Sequence, residues 1–308
     1  MSEEKRKNAN TPDNRTGAYI LIGLGVVFLL VNVFDINFSR LWPLVLVAVG
    51  VYMLIGRGGF GSAGAKTGHY RAPLEDARTA DVEMHLSVGE ARVETLAAGD
   101  DLIDAELTYV GDIHFDVSGA ENKVVRLHQT ADSTWQWINP GNWFSGGGKY
   151  DWRIGLTPKI PMRLNIRGGL GQSELNLRHL NVTDLRLSGG AGQMKVLLPA
   201  SETGYDARFE GGLGQADLDI PPSTSMTLEL RGGVGQINVD LPIDVAVRLR
   251  AKGGVGDVKV PSRLVQVRTS DAEFELGKSG EWESADFVNA DHQITINYEG
   301  GVGELRVR

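Results

Sequence analysis

The stretch Arg167–Leu177, "RGGLGQSELNL", packs three glycines into four positions and then alternates polar with apolar residues. A loop of this kind either cradles a phosphate or turns a corner in repetitive β structure, and the element after the loop decides between the two. A phosphate-binding glycine loop opens into a helix, whose first N–H groups and dipole hold the anion. Here Glu174 and Asn176 alternate with Leu175 and Leu177, a period of two that belongs to a strand with one buried face.

The motif recurs. Gly-Gly-x-Gly begins at Gly168, Gly189, Gly211, Gly232, Gly253 and Gly300, and closes at Gly171, Gly192, Gly214, Gly235, Gly256 and Gly303. The first five copies are spaced by 21, 22, 21 and 21 residues, and the last gap is 47. A fixed period in this range marks a solenoid or array. Two residues after each closing glycine stand Ser173, Met194, Ala216, Ile237, Val258 and Leu305, and four after stand Leu175, Val196, Leu218, Val239, Val260 and Val307. Between these rows run Glu174, Lys195, Asp217, Asn238, Lys259 and Arg306. Ahead of the glycines the same alternation holds, with Arg186, Arg208, Glu229 and Arg250 in one outward column.

Each repeat therefore reads as strand, glycine corner, strand and turn, with Pro199, Pro221 and Pro242 at matching places in the turn. Stacked repeats would build one continuous apolar core. Glycine serves the corner because the backbone there needs positive φ or close stacking. Gln172, Gln193, Gln215 and Gln236 hold equivalent places, so their amides are expected to hydrogen-bond up the column. The expected fold is all-β, a single-stack β-solenoid.

The period reaches upstream. "MHLSVGEARVET" (Met84–Thr95) carries it with a degenerate corner at Gly89, and "YVGDIHFDV" (Tyr109–Val117) reads as a weaker echo. Residues 70–160 are expected to be an irregular beginning of the stack and 161–308 its regular part. Two insertions break the pattern. Thr130–Trp152 holds four of the six tryptophans; Trp135, Trp137 and Trp143, with Phe144, form either a cap on the stack, a binding surface or a contact with lipid headgroups. The segment 262–290 is polar and acidic, and is expected to be a covering loop near the last coil, anchored by Trp282 and Phe287.

Charge is uneven along the 308 residues. The first 71 carry eight Lys/Arg against four Asp/Glu, so with a net charge of −8 the remainder stands at −12. An acidic body of this kind disfavours nucleic acid as a partner. With no cysteine in the chain there is no disulfide, thiolate metal site or cysteine nucleophile.

Two uncharged apolar runs, Ala18–Phe34 and Leu41–Gly56, lie near the start. Each is at the short end of what spans a bilayer, and Tyr19, Phe34 and Trp42 sit at their ends as interfacial anchors do. Only Asp35–Arg40 connects them. The expected arrangement is a polar tail at 1–17, a two-helix transmembrane hairpin at 18–56 in the lipid bilayer, and a flexible glycine-rich linker at 57–69. Lys5, Arg6, Lys7 and Arg15 precede the hairpin, while Arg57, Lys66 and Arg71 come after it. The positive-inside rule then puts both ends, and the β domain, on the cytoplasmic side.

No catalytic constellation is visible. The six histidines, His69, His85, His114, His128, His179 and His292, are scattered without metal-ligand spacing. Walker A, G-x-S-x-G and H-E-x-x-H patterns are missing. Asp217, Asp219 and Asp240 lack the order of calcium-binding β-roll repeats and read as a solvated acidic face. No cofactor or metal is expected.

The hairpin sequences "LIGLGVVFLLVNVF" and "LWPLVLVAVGVYMLI" resemble the transmembrane region of bacterial LiaF-like proteins. The stretches "ADVEMHLSVGEARVE", "LNLRHLNVTDLRLSGGAGQMKVLLP" and "DFVNADHQITINYEGGVGELRV" resemble toast-rack domains and related adhesin-like β-solenoids. The resemblance implies a non-enzymatic accessory membrane regulator of a histidine-kinase/response-regulator pair in cell-envelope stress. It implies a membrane or signalling protein as partner and supplies no active-site residues. An outward-facing adhesive or structural module is the alternative, and an enzyme acting through the tryptophan-rich insertion is a third reading.

Overall fold

The computed structural model of the protein describes residues 65–97, 99–130, 150–269 and 279–308, all within the compact unit Ser62–Arg308. The tail, the expected hairpin at 18–56 and most of the linker lie outside the described residues, as do Trp135, Trp137, Trp143 and Phe144.

Period-two alternation produces strands throughout. They are β1 (Lys66–Pro73), β2 (Thr79–His85), β3 (Gly89–Thr95), β4 (Asp101–Tyr109), β5 (Asp112–Ser118), β6 (Asn122–Thr130) and β7 (Asp151–Leu156). Next come β8 (Met162–Arg167), β9 (Leu170–Asn176), β10 (Val182–Ser188), β11 (Ala191–Leu197), β12 (Tyr205–Glu210), β13 (Leu213–Asp219) and β14 (Met226–Arg231). The last are β15 (Val234–Asp240), β16 (Ala246–Lys252), β17 (Val255–Lys259), β18 (Val265–Thr269), β19 (Gly280–Glu283), β20 (Gln293–Glu299) and β21 (Val302–Val307). One 3-10 turn, Phe287–Asn289, is the only helical element among the described residues.

The protein is all-β, with two sheets. Sheet A has ten strands in the order β1-β4-β7-β3-β9-β11-β13-β15-β21-β17, and sheet B has eleven in the order β18-β19-β16-β20-β14-β12-β10-β8-β2-β6-β5. Each glycine corner takes the chain from a strand of sheet B to one of sheet A, making a coil. Neighbouring coils pair parallel and in register, so Gln172, Gln193, Gln215 and Gln236 stand opposite one another. The core lies between the sheets. Leu164, Ile166, Leu185, Leu187, Phe209, Leu228 and Leu230 come from sheet B, and Leu175, Val196, Leu218, Val239 and Val307 from sheet A, all buried. The solenoid-like stack thus arises from one apolar face per strand and a corner every period.

The order of coils departs from the order of the sequence at both ends. The β20–β21 coil pairs with β14–β15 on one side and β16–β17 on the other, so the corner at Gly300 lies between those at Gly232 and Gly253. At the other end, β2–β3 lies between β8–β9 and the outer β6–β7 coil. Repeats with identical rows fit one another in any order, so spacing alone does not fix the order of the coils. "YVGDIHFDV" is not an echo of the repeat: its strand, β5, runs antiparallel to β6 at the sheet edge. The 262–290 segment supplies more than a loop, since β18 and β19 extend sheet B as an antiparallel hairpin. Within it, Trp282 and Phe287 are buried.

Candidate functional site

The corner edge is built by close approach of backbones. At Gly214, φ is +130° and a Cβ would stand 2.1 Å from the Gly192 carbonyl oxygen of the neighbouring coil. At Gly233 a Cβ would meet the carbonyl oxygens of Gly212 and Gly211 at 2.1 and 2.4 Å. No side chain fits either place. The other corner positions, from Gly168 and Gly171 through Gly189, Gly192, Gly211, Gly232, Gly235, Gly253, Gly256, Gly300 and Gly303, fall in the same rows along the stack.

Sheet A therefore presents ordered rows running along the stack from the corner. The first row is the x residue of each motif: Leu170, Ala191, Leu213, Val234, Val302 and Val255 in spatial order. The second is glycine. The third holds Gln172, Gln193, Gln215 and Gln236 in the middle coils, continued by Glu304 and Asp257 at one end and Glu90 and Asp151 at the other. A shallow groove runs over the glycine row beside Gln193, Gln215 and Gln236.

The glutamine amides do not all bond up their column. Gln215 donates from Nε2 to Asp217 on its own strand, 2.9 Å, and Gln236 donates to Asn238 Oδ1, 2.6 Å. Buried Asn238 passes the network across the coils by donating to Asp217 Oδ1 at 2.6 Å. At the far end, Lys259 and Arg306 face each other on adjacent strands. Glu304 bridges them at 2.8 Å each, and these bonds, to Lys259 first and then Arg306, hold its carboxyl below the usual range.

On sheet B the outward column runs Arg126, Glu83, Asn165, Arg186, Arg208, Glu229, Asn297, Arg250 and Glu281 across nine strands. Arg208 meets Glu229 at 2.7 Å, and Arg231 meets Glu210 at 3.4 Å. The column closes on the β19 hairpin strand. There Glu281 lies within 3.7 Å of Arg248, 3.0 Å of Arg250 and 3.6 Å of Arg268. The Arg248 guanidinium also covers the Phe287 ring at 4.1 Å.

Three histidines that look scattered in sequence are neighbours in space. His85, His128 and His114 stand on β2, β6 and β5, opposite one another. Ring centroids are 5.9 Å apart for His85 and His128, and 4.7 Å for His114 and His128. Burial, then His114 and His85, lower the His128 pKa from its ordinary value, with Glu83 opposing. Only cross-strand register brings them together, and no sequence spacing signals it. Among the described residues no group is arranged to hold a metal ion. Asp219 and Asp240 are paired with Arg178 and Arg308, and Asp217 accepts from Asn238.

The tryptophan-rich insertion opens from the corner edge, whereas the 262–290 segment begins and ends at the turn edge and reaches the corner edge only between β18 and β19. The ends Thr130 and Tyr150 flank the segment with Trp135, Trp137 and Trp143, and β6 and β7 meet the edge at those ends. Gly280 pairs with Ala251 beside the Gly253 corner, so the 270–278 segment leaves from the same edge. The chain also enters there: Lys66 pairs with Tyr109, and β4 continues through β7 and β3 to the glycine row.

Fold and surface define a class: a two-sheet parallel β stack with glycine corners, joined to an apolar N-terminal segment. Residues 62–219 match the N-terminal domain of toast-rack, DUF2154, and residues 15–54 match the LiaI-LiaF-like transmembrane region. The first match spans half the chain, and the protein belongs to the toast-rack family. Among solved structures it is similar to a "putative cell adhesion protein" from Clostridium sporogenes ATCC 15579, at 19% identity and TM-score 0.49, over 79% of this chain and 98% of that one. A second, a "putative adhesin" from Bacteroides fragilis NCTC 9343, aligns at 10% identity and TM-score 0.29, over 79% and 97%. No curated protein matches the chain. The transmembrane-family match points to association with a membrane; among the described residues no helix is long and apolar enough to cross one.

Proposed function

We propose that this protein is a non-enzymatic, membrane-anchored docking module that regulates or scaffolds a cell-envelope stress response through protein–protein contacts. One observation carries the reading: a single chain joins a LiaI-LiaF-like transmembrane region to a toast-rack stack. In this division of labour residues 18–56 anchor, the linker, expected at 57–69 but giving way to β1 at Lys66, connects, and the β stack recognises. The stack suits recognition because its outer rows are held in register by both sheets, so a partner meets a pre-ordered surface and ordering it costs little. The sheet B column with Arg186, Arg208 and Glu229 is the docking face, and the β stack lies on the cytoplasmic side.

Two measurements test this. A photo-reactive residue at Arg186 in the full chain, in stressed cells, should crosslink a membrane sensor; capture of none, with an unchanged stress-reporter threshold on gene deletion, overturns the reading. The chain has no native cysteine, so Ser223→Cys, in an exposed turn, reports sidedness. It should react with an impermeant maleimide only after permeabilisation. Reaction in intact cells places the stack outside instead.

A further inference from the structure

Five of the six coils with Gly-Gly-x-Gly corners contribute one aliphatic side chain that the core does not take up. Leu213 is 59% exposed, Val234 53%, Val302 52%, Val255 56% and Leu170 38%. They form one row on adjacent strands, interrupted only by Ala191. Each is flanked by glycine on both sides, as in Gly212–Leu213–Gly214 and Gly233–Val234–Gly235. With no neighbouring side chain to bury them, the aliphatics stand as a narrow ridge. Six strands at about 4.8 Å spacing make it roughly 24 Å long. Singly scattered exposed aliphatics are ordinary; here five stand in one row.

We propose that this ridge docks on a lipid bilayer surface. The inference rests on the membrane-anchored reading above and extends it to the β stack. Three observations select lipid over a second copy or another protein. First, the ridge is one side chain wide and covers on the order of 250 Å², well short of the ~800 Å² per partner of a specific protein interface. A fluid surface needs no matching shape. Second, over the four middle coils polarity rises in steps away from the ridge: aliphatic, then glycine, then the uncharged amides Gln172, Gln193, Gln215 and Gln236, then the row of Glu174, Lys195, Asp217 and Asn238, while Glu304 and Asp257 take the amide place beside Val302 and Val255. That sequence matches the gradient from acyl chain to headgroup to water.

Third, the chain enters the stack on this edge. Lys66 lies level with the glycine row and is held by Asp112 at 3.1 Å. The transmembrane-family match ends at residue 54. Eleven residues then reach Lys66, at most about 40 Å of extended chain. A tether this short gives the stack a high effective concentration of bilayer, so weak ridge contacts suffice. The turn edge with Pro199, Pro221 and Pro242 lies a strand length further away.

The test uses the full chain reconstituted in vesicles of phosphatidylcholine with one-quarter phosphatidylglycerol. Val234→Cys and, on the turn edge, Ser223→Cys each carry a polarity-sensitive dye. A nitroxide-bearing lipid and aqueous iodide serve as quenchers. The Val234→Cys dye should emit to the blue and be quenched several-fold more by the lipid nitroxide than the Ser223→Cys dye. Replacing Leu213 and Val302 by Ser, both exposed, should remove that difference while leaving the melting temperature within a degree or two. Equal lipid quenching at both sites, or iodide quenching alone at Val234→Cys, overturns the proposal. So does a dye shielded from both quenchers, which would put protein on the ridge. If the chain fails to float with vesicles, the anchoring reading falls first, and that result is separable from a floating chain whose ridge stays in water.

Discussion

A single methyl group tells the corner glycines apart from the residue between them. At Gly214 an added Cβ meets a carbonyl oxygen of the next coil, and positive φ adds strain to any L residue. Gly214→Ala should therefore cost at least about 2 kcal/mol in urea unfolding. Val234→Ala, in the adjacent row and exposed, should stay within about 0.5 kcal/mol. Equal losses would remove the distinction between corner and ridge. The glycine requirement was legible in sequence because only backbone crowding or positive φ explains glycine at three of four positions in every copy. The role of Asn238 was not legible: as one member of a charged row it looked solvated, yet it is buried between Asp217 and Gln236. Asn238→Asp replaces the donor to Asp217 by a buried carboxylate facing the half-buried one, and thermal melts at neutral pH should show a loss of roughly 2 kcal/mol.

Strands set against each other create properties that no one strand carries. The histidine row joins β5, the edge of sheet B, to β6 and β2. His128 faces His114 and His85, with Glu83 on β2 and Arg126 on its own strand nearby. Because its pKa is lowered in the fold, the unfolded chain binds the proton more readily, and stability falls as pH drops through about 6.5 towards the lower native value. Below that value the loss is complete and stays constant. With the intrinsic pH dependence divided out, protection of the β5 and β6 amides should thus fall from pH 7 to pH 5, with that of β9–β15 little changed. In His128→Gln most of this pH dependence should vanish; its persistence would assign the effect elsewhere. The row could not be read from sequence because His85, His114 and His128 come from strands whose antiparallel and parallel pairings no repeat predicts.

Both ends of the whole stack are clamped by chain reversal. Either end of a sequential solenoid can fray one coil at a time, since each coil pairs outward with nothing. Here β20–β21 is paired on both sides, and Arg308 is tied to Asp240 and to the backbone of Val239 and Leu241. The outer coil β16–β17 is made earlier in the chain but gains its inner partner only when the last residues arrive. Spacing exposed the six coils with Gly-Gly-x-Gly corners, but not the outer β6–β7 coil, which has none, and it left their order open, because the row residues of Gly253 and Gly300 are interchangeable. Removing residues 291–308 should consequently do far more than shorten the stack. It strips the partners from β14, β15, β16 and β17 at once and leaves parallel edges with apolar inner faces open, the condition that promotes association of sheets. The shortened chain should elute as large assemblies in mild detergent and become protease-sensitive across 246–269, while the intact chain stays discrete and resistant. A discrete, resistant truncation would mean that the outer coil slides inward to pair directly with β14–β15, and that the clamp is dispensable.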